Sequence, residues 1–207
     1  EALTGYELGF EHRKTGDDAY EVRIFRSSHP EEFKDRLIMR PYTHGEGDIA
    51  FEPCPSCGAP RDLSGFRWDM ESGVIGCGAT GRRMAFFAPT VIDAIFDELE
   101  KELGETIPET VVEAQRRFTK SGMYSRREMD DAEAFRKQLA LRGLGNLREL
   151  EMGASGLRMR MDNAAVHLMV VGLVQGIYEM AYDTASAVEW EFSSEGDLQV
   201  EVIPGSG

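Results

Sequence analysis

The spacing of apolar and polar positions changes character along this chain. Up to about residue 50 it alternates only in short runs. Tyr20 to Phe25 (YEVRIF) and Arg36 to Met39 (RLIM) have strand character, and His29-Pro30 breaks the first. Ser28 or His29 before Pro30-Glu31-Glu32 opens a short helix through Asp35. Phe66 to Asp69 and Val74 to Cys77 flank Glu71-Ser72-Gly73 and predict a hairpin. From Pro89 the period becomes helical. Thr90 caps a helix with Val91, Ile92, Ile95, Phe96, Leu99 and Leu103 on one face and Gly104 as its stop. Thr106-Ile107-Pro108-Glu109 is a capping box for a second helix through Phe118, ended by Gly122. Ser125-Arg126-Arg127-Glu128 opens a third, with Met129, Ala132, Phe135 and Leu139, stopping near Gly143 and Gly145.

Alternation then returns. Leu147 to Met152 and Leu157 to Met161 form a hairpin, with Arg158 and Arg160 placed to pair with Glu149 and Glu151 across the strands. Asp162 and Asn163 stand as N-caps of an almost wholly apolar helix reaching about Tyr182. Val188, Trp190 and Phe192 alternate with acids, and beyond Ser194-Glu195-Gly196-Asp197 so do Leu198, Val200 and Val202. The second half reads α-α-α-β-β-α-β-β. This is an α+β fold, an antiparallel sheet with helices packed on it, preceded by a small β-rich, zinc-ribbon-like segment. The change of pattern divides the chain into residues 1–88, with the cysteines, and residues 89–207.

Composition narrows the partners. Twenty-three Lys and Arg against 37 Asp and Glu give a net charge of −14, which argues against nucleic acid because phosphate contacts need clustered cations. The acidic run Glu98, Glu100, Glu102, Glu105 and Glu109 reads as a solvated face. The first residues hold no apolar core of a signal peptide. The apolar helix at 163–183 carries His167, Gln175 and Glu179, so a buried core helix is expected rather than a membrane span. Three cysteines, two of them in a CxxC, fit a reducing compartment, and the cytoplasm is the expected location.

Cys54-Pro55-Ser56-Cys57-Gly58 has the form of a zinc knuckle, a tight turn that points two thiolates at one ion. In a zinc ribbon a second CxxC follows the hairpin. Here the second half is Cys77-Gly78-Ala79-Thr80, so a zinc site needs a fourth ligand. His44 is the candidate, with His29, Asp69 and Glu52 as alternatives. A hairpin whose metal has been lost is the competing reading.

The closing residues resemble the 4-vinyl reductase domain family of hydrocarbon- and small-molecule-binding domains. They read Gly172-Leu-Val-Gln-Gly176-Ile-Tyr178, then Glu189-Trp190-Glu191, then Phe192-Ser-Ser-Glu-Gly196-Asp197-Leu-Gln-Val200. Phe192 and Val200 stand where the family carries cysteines, so no metal site is expected there. Over residues 89–203 the resemblance implies a pocket between helices and sheet for an apolar or aromatic molecule. His167, Gln175, Tyr178, Trp190, Met159 and Met169 are the candidate ligand contacts. They combine soft apolar groups with the few polar side chains of that region. The same residues read equally as core.

No GxSxG, Walker A or HExxH occurs, and no catalytic residue is assigned. Three functions remain open. One is a small-molecule sensor or accessory protein; another is an enzyme or auxiliary of tetrapyrrole or aromatic metabolism. The third is a zinc-stabilised interaction module. Gly172 and Gly176, one turn apart, allow close helix approach, either in a homodimer or within the chain.

Overall fold

The computed structural model describes residues 8–17, 19–26, 45–78, 81–123 and 131–205. The chain divides into two compact units, residues 1–38 and 39–207. The strand expected at 36–39, the short helix before it, His29, His44 and the start of the third helix lie outside the described residues. In the first unit, β1 (Leu8–Lys14) pairs antiparallel with β2 (Tyr20–Arg26), from Leu8↔Arg26 to Lys14↔Tyr20.

The second unit opens with the cysteine segment. The expected hairpin is present as β3 (Phe66–Asp69) and β4 (Val74–Cys77), and β5 (Arg83–Met84) adds a short third strand. Among the described residues four α-helices follow: α1 (Pro89–Leu103), α2 (Ile107–Phe118), α3 (Ala132–Leu141) and α4 (His167–Tyr182). The main sheet is antiparallel, ordered β6 (Asn146–Gly153), β7 (Gly156–Asp162), β9 (Leu198–Pro204), β8 (Ser186–Phe192). This is an α+β architecture, and α4 is the connection between its two hairpins.

Alternation decides what each face of the sheet meets. Leu157, Met159, Met161, Leu198, Val200 and Val202 are buried on one face and pack with α4 in a single core. On the other face Arg160 pairs with Glu149 at 3.5 Å. Arg158 pairs with Glu201 of β9 at 2.9 Å rather than with Glu151. α4 lies between the sheet and α2, which is why it is apolar nearly all round. Val170, Val171, Val174 and Ile177 are each at most 1% exposed, and each such side chain contributes about 1.5–3 kcal/mol of burial.

Gly172 and Gly176 belong to the α2–α4 contact. A Cβ on Gly172 would meet the Val112 carbonyl oxygen and lie 2.8 Å from Gln115 Cβ; one on Gly176 would lie 2.7 Å from Thr119 Cβ. The close-approach signature is thus used within the chain. Glu179 closes the same contact. Its buried carboxylate accepts from Arg116 and Lys120 at 2.5 Å, and from the Ser186 amide at 2.9 Å. Burial raises its pKa, but Lys120, Arg116 and Ser186 outweigh that and hold it below the ordinary value.

Helix starts differ from expectation in detail. α1 begins at Pro89 with Ala88 as N-cap, so Thr90 sits inside the first turn. Thr106 holds the N-cap position of α2 without a side-chain bond. Asp131 caps α3 by accepting from the Glu133 and Ala134 amides, both at 3.1 Å. Asp162 and Asn163 do not cap α4. Asp162 ends β7, and the connecting residues are held by long-range bonds, Ala164 N–H to the Gly196 carbonyl and Ala165 N–H to the Leu144 carbonyl. Asn163 and Val166 adopt positive φ (54° and 47°), and α4 starts only at His167.

α1 also departs from its pattern. Val91, Ile95, Leu99 and Leu103 are 42%, 43%, 39% and 67% exposed, while Ala94 on the other side is buried. Four of the six apolar side chains on the expected core face are thus exposed. No helix among the described residues is long and apolar enough to cross a membrane.

Candidate functional site

At the N-terminal end of α4 the core gives way to a cavity of about 550 Å³. α1 supplies Asp93, Asp97, Glu100 and Phe96; the first turn of α2 supplies Ile107 and Pro108. His167 and Leu168 come from α4, Trp190 and Phe192 from β8, and Ser193, Ser194 and Gly196 from the β8–β9 turn.

His167 is the first residue of α4, directly after Val166 in its left-handed conformation. A β-branched residue is an outlier there, at a cost of about 1–3 kcal/mol. The surrounding bonds at Ala164 and Ala165 hold the turn in place and deliver the imidazole into the cavity. The ring lies on Phe192, with centroids 4.1 Å apart and planes inclined by 4°. Burial pushes the His167 pKa down, and the carboxylates of Asp93 and Asp97 pull only partly against it. At neutral pH the ring is therefore a neutral donor and acceptor. The Ser193 hydroxyl is engaged in its own turn, accepting from the Glu195 and Asp197 amides at 3.2 and 3.0 Å.

The six expected ligand contacts separate. His167 and Trp190 line the cavity together. Gln175 is buried and donates to the Ser186 carbonyl at 3.0 Å. Tyr178 is wholly buried, donating to the Ala154 carbonyl at 3.4 Å. Met159 is a core residue under the sheet. Met169 lines a separate groove of about 300 Å³ with Phe96, Val111 and Phe118. The residues that sequence reasoning missed are Asp93, Asp97 and Glu100. Their spacing marks one face of α1, but an acidic helix face carries the same signal whether it meets water or a cavity.

In the cysteine segment, Gly58 (φ 74°) folds the backbone so that its amide donates to the Cys54 carbonyl at 2.8 Å. The amides of Ser56 and Cys57 bond the Cys54 sulfur and hold its thiol below the ordinary value. Among the described residues no three His, Cys, Asp or Glu side chains converge as a metal set. The knuckle as described thus offers two donors.

No family model matches the chain, and no curated protein matches it. Solved structures do. A vinyl-4-reductase family protein from Methanocaldococcus jannaschii matches with 17% identity and a TM-score of 0.38, over 56% of this chain and 77% of that one. The Fe(II) unliganded H-NOX protein from K. algicida matches with 10% identity and a TM-score of 0.42, over 63% and 80%. The phenol-responsive sensory domain of the transcription activator PoxR, solved with phenol, matches with 12% identity and a TM-score of 0.50. That match covers 68% of this chain and 86% of that one. In its fold, this chain is similar to the PoxR sensory domain.

Proposed function

We propose that the second unit is a binding domain for a hydrophobic or aromatic small molecule, acting as a sensor or accessory protein of the 4-vinyl reductase type. The cavity at the head of α4 carries this reading. It is large enough for a single- or double-ring ligand. Its walls are mainly apolar, and His167, Trp190 and the acidic and hydroxyl side chains of the wall supply polar atoms that orient a guest. The likeness to a phenol-responsive sensory domain supports the same reading at the level of fold. Thermal shift and tryptophan fluorescence with 2-phenylethanol, 2-phenylethylamine and phenylacetate test it, alongside native mass spectrometry of freshly purified protein. Binding of at least one probe, weakened by Trp190→Ala and by His167→Ala but not by Tyr178→Phe, is expected. No retained ligand and no response to any probe would remove the proposal.

A second reading concerns the knuckle, where the amide donors to the Cys54 sulfur favour a bound thiolate. We infer a zinc-holding role for Cys54 and Cys57, with Cys77 and His44 as the expected further ligands. Elemental analysis is the test: Cys54→Ser should lose the zinc that the unaltered protein retains and lower its melting temperature. A protein purified without zinc that melts as the variant does would exclude the role.

A further inference from the structure

The turn between β7 and α4 has two sides. One carries the cavity. Ala164 N–H donates to the Gly196 carbonyl at 2.8 Å, and Val166, left-handed at φ 47°, leads into His167. Gly196 and His167 both line the cavity. A Cβ on Gly196 would lie 3.8 Å from Asn163 Cα, so the start of the turn adjoins that part of the wall.

The other side carries residues 45–48. These are exposed, and in place of packing they have polar ties at three points. The Asn163 side chain accepts from the Gly45 amide at 2.7 Å and donates back to the Gly45 carbonyl at 3.3 Å. Arg148 donates to the Glu46 carbonyl at 3.1 Å and to Asp162, the neighbour of Asn163, at 2.5 Å. The Asp48 carboxylate accepts from Arg136, Arg148 and Asn146 at 2.5, 2.6 and 2.9 Å. Bonds between ionised partners are the stronger kind.

We propose that Asn163 is a positioning residue for the cavity: by pairing with Gly45 it fixes the turn that sets His167 against Phe192, and so couples the cavity's occupancy to the hold on residues 45–48. This rests on the cavity being the binding site proposed above, and it names how that site is regulated. Val166 supplies the stored strain, since a β-branched residue is costly at positive φ. A turn released from Gly45 relaxes that strain, and His167 moves with it. The coupling is reciprocal. A guest that needs His167 in place tightens the Asn163–Gly45 pair, and loss of the pair weakens the guest by the same factor. Gly45 is the first described residue of the second unit, so the effect reaches the stretch of chain that follows the first.

Asn163→Gly in the full chain tests the proposal, because glycine keeps the positive φ and removes only the side chain. One readout is the NMR shift of the His167 ring protons, which the stacked Phe192 ring displaces. The other is the affinity for 2-phenylethanol by isothermal titration. The ring protons should move toward the values of an unstacked histidine, and 2-phenylethanol should bind about tenfold more weakly. Glu179→Gln, which loosens the far end of α4, should lower the melting temperature and leave the ring protons in place. Should Asn163→Gly not fold, Asp48→Asn, which removes the charge held by Arg136 and Arg148, is read in the same way. Unmoved ring protons, protons moved as far by Glu179→Gln, or an unchanged affinity would overturn the coupling. If 2-phenylethanol does not bind the unaltered protein, the binding reading and the coupling to it both fall. The ring protons then still decide whether Asn163 positions His167.

Discussion

His167 lies flat against Phe192, ring on ring at 4.1 Å, and this one contact joins the first turn of α4 to the end of β8. It covers one face of the only histidine among the described residues of the cavity wall. Phe192→Ala should cost about 1 kcal/mol of stability, the scale of one aromatic pair, and admit water to the imidazole. The His167 titration, followed by NMR, should then move up toward the ordinary histidine value. An unchanged titration would show that α1, not Phe192, keeps the ring from water.

The same histidine sets an acid limb of stability. Its folded-state pKa is below the unfolded one, so the unfolded chain takes up the proton first. Stability is then unaffected above about pH 6.5 and falls as pH drops from there toward the folded value. Carboxylates act in a lower window. Glu113 is held to about 2 chiefly by its bond from Arg116, and Asp48 to about 2 by Asn146 and Arg136. Their contributions are present above the ordinary carboxylate values and are lost as pH falls toward 2. Urea midpoints against pH should show both limbs, and His167→Gln should flatten only the upper one.

Gly172 and Gly176 have no room for a methyl group against α2. Ala at either position should destabilise by about 1–3 kcal/mol, the cost of overpacking a filled contact. Gly47, with nothing within 4 Å of an added Cβ, is the control, and Gly47→Ala should stay within about 0.5 kcal/mol. Equal urea midpoints for all three variants would mean that α2 moves aside freely.

Glu179 ties three elements through one carboxylate. Glu179→Ala leaves Arg116 and Lys120 facing each other without the anion between them. Removing one partner of a buried pair costs about 3–5 kcal/mol. The lower end applies here, because Lys120 is 39% exposed along its side chain and can rehydrate. Glu179→Gln keeps the volume and a bond to Ser186 and should fall between. Chemical denaturation of the two variants ranks them, and a Gln variant as unstable as the Ala variant would contradict the electrostatic account.

Local physics made much of this fold legible in the residues. Periods of two and of 3.6 residues placed β3, β4, the strands of the main sheet and all four helices. Turn chemistry at Gly104, Gly153–Gly156 and Ser194–Asp197 separated them. The apolar, glycine-bearing α4 announced a helix buried on all sides, and His167 and Trp190 were legible as a polar and an aromatic group in an apolar region. Each of these signals lies within a few neighbouring residues.

What neighbours in sequence do not carry is contact between distant segments, and those contacts decided the site. Asp162 and Asn163 have the chemistry of caps, but bonds to Gly196 and Leu144 hold that stretch out of the helix and move its start to His167. α1 is amphipathic in the sequence, yet only packing chose which face it turns inward, and it turned Asp93 and Asp97 toward the cavity. Gln175 and Tyr178 found partners in the core at Ser186 and Ala154, residues far from them in the chain or across a turn. Periodicity belongs to the chain itself. The sign of the charge facing a cavity belongs to the arrangement of its elements in space.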